Sequence, residues 1–227
     1  MPVSKTVIIS CAGMGSRLGM NMTKALIKLH GKTLIEWQLD LLKDVEDVRI
    51  VVGYQYTQVI ETVLNKRKDV IFVFNHDFRN TGTAASFVKG VKNTKEDNLI
   101  ISLDGDLLIH PEDLKNVLES DYEFVGVCDK NSEEPVYVNT YLENGIEKVG
   151  SFSKLNGQYE WTGLAQISNK RTFNGTRHVY QMIEPFLPIR ILKLRSQEID
   201  TYADYENALR WIQKYYQSSE YNLNTKL

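Results

Sequence analysis

The chain has 227 residues, 42% of them hydrophobic and 25% charged, a balance that supports one large domain with a full-sized core and excludes disordered and low-complexity classes. Lys and Arg total 27 against 29 Asp and Glu, a net charge of −2, so the basic excess that marks a nucleic-acid partner is missing. No apolar run approaches the roughly 18–20 residues that cross a bilayer, and Met1-Pro2-Val3-Ser4-Lys5 leads into a strand-like segment without a signal-peptide pattern. A cytoplasmic protein with no membrane partner is expected.

In chain order, Thr6–Cys11, Val48–Gly53, Val70–Phe74 and Leu99–Leu103 are continuous apolar runs rich in β-branched residues, the pattern of strands covered on both faces. Between and after them Leu34–Lys43, Gln55–Lys66, Ala84–Lys92 and Pro111–Glu119 place apolar residues near helical spacing, with Pro111 at a permitted first-turn position. This alternation predicts an α/β fold: a mixed, mostly parallel sheet with helices on both faces. Phe124–Cys128 reads as a further strand, and Val136–Leu142 and Ile146–Phe152 flank Asn144-Gly145, a hairpin signal. Trp161–Ile167 reads as one more strand, followed by a helix near Arg177–Phe186, a strand at Ile189–Leu194 and a helix from about Tyr202 to Tyr216. One domain spanning 1–227 is expected, with residues 122–168 as a β-rich insertion. Cys11 and Cys128 close apolar strands and are too few for a disulfide scaffold, and His30, His76, His110 and His178 lack metal-ligand spacing.

The chemistry concentrates first in the stretch from Cys11 to Lys24. Gly13, Gly15 and Gly19 allow sharp turns and close backbone approach, successive N–H groups there form an anion nest, and Arg17 and Lys24 add positive charge. The combination suits phosphate. The Gly-Lys-Ser/Thr ending of a Walker loop is missing, and Leu18 stands where a dinucleotide fingerprint needs its last glycine.

Ala-Gly-Met-Gly-Ser-Arg-Leu at 12–18, followed by Lys24 and Gly31-Lys32-Thr33-Leu34-Ile35, resembles the signature of nucleotidyltransferases that join an NTP to a phosphorylated small molecule. The resemblance implies a Rossmann-like nucleotidyltransferase fold. It also implies that Ala12, Gly13, Met14, Gly15 and Ser16 wrap the triphosphate, that Arg17 holds the outer phosphates and that Lys24 neutralises the α-phosphate. Many members of the family carry proline before that lysine; here the residue is Thr23.

Leu103-Asp104-Gly105-Asp106 follows an apolar strand, and ligands of open α/β sheets gather at strand carboxyl ends. Two carboxylates there suit Mg²⁺, a hard cation commonly held by one or two carboxylates and substrate phosphates, although a turn leading into Pro111 is the plain alternative. By resemblance Asp106 is the metal-binding aspartate and Asp104 its neighbour on the ribose side. Glu198-Ile199-Asp200-Thr201 resembles the segment that supplies a second metal carboxylate, Asp200, while a helix cap alone would also explain it. Asn80, Thr81, Gly82 and Thr83 resemble the small-residue segment against base and ribose, and they equally make a helix start. Trp161 and Gly163 resemble the acceptor side, although a tryptophan in a strand also suits a core. Lys148 and Lys154 compete for the acceptor phosphate, with Lys154 preferred.

The short interval from Arg17 to Lys24 and the compact length resemble the cytidylyltransferases that activate phosphocholine and related phospho-alcohols. CTP, a phosphorylated small-molecule acceptor and Mg²⁺ are the implied partners, and the products would supply surface polysaccharide or lipid decoration. A homodimer stays open. A sugar-1-phosphate nucleotidyltransferase is the nearest alternative; a nucleotide-sugar glycosyltransferase would use Asp104-Gly105-Asp106 but would not need the Arg17 and Lys24 charges.

Overall fold

The computed structural model describes residues 4–15, 19, 22–130, 132, 134–171 and 173–216. The chain opens with strand β1 (Lys5–Cys11). A short 3₁₀ turn at Lys24–Leu26 leads to a small hairpin of β2 (Lys28–Leu29) and β3 (Lys32–Thr33), and then to helix α1 (Leu34–Leu41). Thr33 ends one element and starts the next because its Oγ1 accepts the Glu36 backbone N–H while the Glu36 carboxylate accepts the Thr33 N–H, a reciprocal cap.

Strand β4 (Asp47–Val52), helix α2 (Tyr56–Lys66), strand β5 (Ile71–Phe74), helix α3 (Thr83–Val91) and strand β6 (Leu99–Asp104) complete the alternating half. Strands β5, β4, β1 and β6 lie side by side in that order, all parallel. The reason for their largely apolar sequences is visible along β1. Val7, Ile9 and Cys11 enter one core cluster with α1 and α2, whereas Ile8 enters a second with α3 on the opposite face.

The second half carries β7 (Leu107–Ile109), α4 (Pro111–Glu119), β8 (Phe124–Cys128), β9 (Tyr137–Glu143), β10 (Ile146–Ser153) and β11 (Tyr159–Ser168). After these come α5 (Val179–Ile183), β12 (Ile189–Lys193), β13 (Ser196–Glu198) and α6 (Tyr202–Tyr215). Strand β11 pairs antiparallel with β6, and β8, β12, β10 and β9 extend the sheet to nine strands. The β-rich segment therefore shares one sheet with the alternating half. The Asn144-Gly145 turn joins β9 to β10 with positive φ at both residues, 53° and 76°, as a two-residue hairpin of right-handed twist requires.

Two sequence expectations change. The helix expected over 177–186 is the short α5 followed by a 3₁₀ turn at Glu184–Phe186, because Pro185 lacks an N–H and its ring clashes with the preceding turn. The pairing of β7 with β13 was not anticipated, since three-residue strands leave no periodic signal. That pairing builds the site.

Candidate active site

Strand β1 connects to β4 on one side of the sheet, while β6 returns to its other side, so a crevice forms where the connections diverge. Ser10 and Asp104 are register partners there, and a cleft of about 360 Å³ opens above them. The turn after β6 is held from below by Gln38 of α1, whose buried amide donates to the carbonyls of Asp104 and Leu107 at 2.8 Å each. Gly105 is required in that turn: a Cβ would stand 2.7 Å from the Ser10 carbonyl oxygen and 2.9 Å from Cys11 Sγ.

The β7–β13 ladder opposes Leu107 with Glu198, and the Ile199 N–H donates to the Asp106 carbonyl at 3.2 Å. Ile199 is fully buried in the cluster beneath α6, and Glu198 and Asp200 flank it on the side of Asp106. Carboxylate oxygens of Asp106, Glu198 and Asp200 come within 4.8 Å of one another. Thr201 next caps α6: its hydroxyl accepts the Asp204 N–H, and the Asp204 carboxylate accepts the Thr201 N–H. The cap is therefore present, and the residue before it, Asp200, stands beside Asp106 and Glu198.

Lys24 enters the cluster from the 3₁₀ turn after the glycine loop. Its Nζ donates to Asp106 Oδ2 at 2.7 Å and to Asp200 Oδ1, and the three side chains are only 17%, 19% and 27% exposed respectively. Burial pulls the Lys24 ammonium toward the neutral form, but the charge and hydrogen bond of Asp106, joined by those of Asp200, outweigh it and raise its affinity for a proton. Asp104 is pushed well above the ordinary carboxylate range by burial and then by the negative charge of Asp106, which Lys24 only partly offsets. Glu198 is raised too, by partial desolvation of its carboxyl group and then by Asp106 and Asp200, although its side chain as a whole stays exposed. Even with Asp104 and Glu198 holding their protons more tightly, the carboxylates of Asp106 and Asp200 outnumber the one ammonium and leave a surplus of negative charge. Oxygen-only donors in that state fit a hard divalent cation such as Mg²⁺.

Of the residues singled out in the sequence, Ala12, Gly13, Gly15, Lys24, Thr81, Gly82, Thr83, Asp104, Asp106, Lys154, Trp161, Gly163 and Asp200 all line the cleft. Ser16 and Arg17 lie outside the described residues. Met14 is 41% exposed and Asn80 ties its amide to Asp77 in a surface turn, so neither belongs to the lining. Lys148 pairs with Glu143 on the outer hairpin, whereas Lys154 borders the cleft.

Residues 7–166 match the MobA-like NTP transferase domain. The chain belongs to that family. Among curated relatives, the bifunctional protein GlmU of Campylobacter fetus is 30% identical over 117 residues, 51% of this chain and 27% of that protein. GlmU of Francisella philomiragia is 31% identical over 173 residues, 75% of this chain and 37% of that protein. The chain thus spans about a quarter to a third of the length of these relatives. Among solved structures, an inositol-1-phosphate CTP transferase from T. maritima superposes with a TM-score of 0.76 at 20% identity, covering 96% of this chain and 98% of that one. CTP:phosphocholine cytidylyltransferase (LicC) from Streptococcus pneumoniae gives 0.73 at 20% identity, covering 92% and 100%. The expected Rossmann-like nucleotidyltransferase fold is the one observed.

Sequence reasoning passed over three residues of this candidate site. Glu198 stands two positions before Asp200, the spacing that puts strand side chains on one face, and the buried Ile199 between them was the available signal. Asn75, 1% exposed, borders the cleft and donates its amide to Thr81 Oγ1 at 3.1 Å and Ser86 Oγ at 3.2 Å, tying the end of β5 to the start of α3. Phe78 adds an aromatic face on the same wall.

Gly163 sits at a bulge in β11 with φ +85°, where a Cβ would stand 2.8 Å from Asp104 Oδ2. Gly163→Ala is expected to lose about 1–3 kcal/mol of stability from left-handed backbone strain alone. Turnover should fall as well, because the new methyl group displaces the Asp104 carboxylate. Urea unfolding checks the first effect; a midpoint equal to that of the parent chain would show that the bulge relaxes.

Proposed function

We propose that this chain transfers a nucleoside monophosphate, CMP in our reading, from an NTP to a phosphorylated alcohol with release of pyrophosphate. The observation that carries this reading is Lys24 held by Asp106 and Asp200 at the carboxyl end of β6, with the glycine-loop backbone of Ala12, Gly13 and Gly15 on one side and the β11 wall of Trp161 and Gly163 on the other. A donor tail and an acceptor could approach this point from opposite sides. The choice of CMP draws on the two structural neighbours whose names specify CTP.

A phosphate monoester has a second pKa near 6 and is largely dianionic at neutral pH, so its oxygen attacks without a general base. A bond forms between that oxygen and the α-phosphorus, the bond to the bridging oxygen breaks, and pyrophosphate leaves with the electron pair. The protein's task is to position the two anions and to offset their charge. In this reading Lys24 supplies positive charge at the α-phosphate, and the small residues Thr81, Gly82 and Thr83 leave room for base and ribose. Lys154 faces the acceptor phosphate, and Asp104 and Asp106 carry no proton-transfer role. Asp106, Glu198 and Asp200 would hold Mg²⁺, which when bound supplies further charge neutralisation at the phosphates.

The test is pyrophosphate release with each of four NTPs against phosphocholine, other phospho-alcohols and sugar 1-phosphates. CTP with a phospho-alcohol should give the highest rate. Preference for a sugar 1-phosphate would move the acceptor assignment, and release of no pyrophosphate from any pair would overturn the reading.

A further inference from the structure

Thr23 stands directly before Lys24, outside any strand ladder, so its backbone N–H needs a partner from elsewhere. It is 2% exposed, and the partner is a side chain from a distant corner of the fold: Gln55 Oε1 accepts the Thr23 N–H at 2.9 Å. The Thr23 hydroxyl donates to the Cys11 carbonyl at 3.3 Å, and the Tyr54 N–H donates to the Ala12 carbonyl at 3.0 Å. The junction between β4 and α2 therefore grips the glycine loop at both ends, at Ala12 where it leaves β1 and at Thr23 where Lys24 begins. Thr23 has φ −64° and ψ 137°, a φ that a proline ring also imposes and a ψ that a proline accepts.

We propose that Gln55 is a positioning residue for nucleotidyl transfer: by holding the Thr23 N–H it fixes the point from which the Lys24 side chain reaches the Asp106 and Asp200 cluster. The proposal rests on the proposed function for its kinetic consequence but not for its structural one. Gln55→Ala leaves a buried N–H without its acceptor, so the segment must shift or admit water. Lys24 then starts from a displaced backbone, and because its charge is needed as the transition state forms, the loss falls on kcat and not on KM.

The experiment compares the parent chain with Gln55→Ala, Gln55→Glu, Thr23→Pro and the double variant Gln55→Ala/Thr23→Pro. Kinetics use CTP and phosphocholine; exchange of the Thr23 amide in the ligand-free parent, Gln55→Ala and Gln55→Glu chains is followed by NMR. Gln55→Ala should lower kcat roughly tenfold, the scale of a small misplacement of a catalytic group, with KM for CTP little changed. Gln55→Glu, which keeps an acceptor oxygen, should recover most of that loss and protect the Thr23 amide. Once Thr23→Pro has removed the N–H, adding Gln55→Ala should lower kcat much less than it does in the parent chain. Unchanged kcat in Gln55→Ala, losses that multiply in the double variant, or a Thr23 amide that exchanges equally fast in the parent and in Gln55→Ala would each overturn the proposal. A parent chain that releases no pyrophosphate would strike the proposed function instead, and the exchange measurement would still decide the Gln55 contact.

Discussion

Lys24→Met is expected to lower turnover by about 10²–10³-fold, the scale seen when one preorganised donor to developing charge is removed. The substitution keeps the length and apolar stem of the side chain and deletes only the ammonium. That ammonium bonds Asp106 and Asp200 and sits beside Asp104 and Glu198, both already carrying raised proton affinity. Its loss leaves like charges facing one another, so the metal-free variant should also melt below the parent chain. Millimolar Mg²⁺ should then raise the melting temperature of Lys24→Met by more than it raises that of the parent, because the competing cation is gone. Steady-state pyrophosphate release and thermal melts with and without Mg²⁺ check both parts. Near-parental turnover would remove Lys24 from the reaction.

Asp106→Asn is expected to behave in the opposite sense in the melt and in the same sense in turnover. The amide keeps the shape of the side chain but withdraws one of the three carboxylates whose oxygens lie within 4.8 Å. Asp106 is also the largest charge source pushing up both Asp104 and Glu198, so neutralising it relieves repulsion. Lys24 retains Asp200 as a partner. The metal-free variant should therefore melt no lower than the parent, lose the Mg²⁺-dependent rise in melting temperature, and turn over at least about 10²-fold more slowly. A Mg²⁺ response as large as the parent's would show that the cation binds elsewhere, even if activity were lost.

Much of this site could be read from the chain because its parts are local. The glycine loop and Lys24 fall within one strand-to-helix connection, and Asp104 ends, and Asp106 closely follows, a strand whose largely apolar run, Leu99 to Leu103, announces burial on both faces. Asp200 was reached only through family resemblance, and Glu198 was passed over because its role depends on a ladder of three residues, too short to show a period. Asn75 and Gln55 were invisible for a related reason. Each acts by a hydrogen bond to a backbone or hydroxyl group, at Thr23 or at Thr81 and Ser86, and such a partner leaves no mark in residue type. The apolar spacing carries the expected helix to Phe186, whereas Pro185 limits α5 to Val179–Ile183.

The sequence by itself determined the alternating α/β half, the hairpin at Asn144-Gly145 and the presence of a cationic glycine loop, since each follows from periodicity, turn chemistry or charge within a short span. Only the tertiary structure decided that Glu198 and Asp200 meet Asp106 across some ninety residues of chain, and that a glutamine from another loop steadies the residue before Lys24. Those contacts are made by β7 finding β13 and by the β4–α2 corner reaching the glycine loop. Such pairings are chosen by the packing of the whole chain, because no local segment holds both partners.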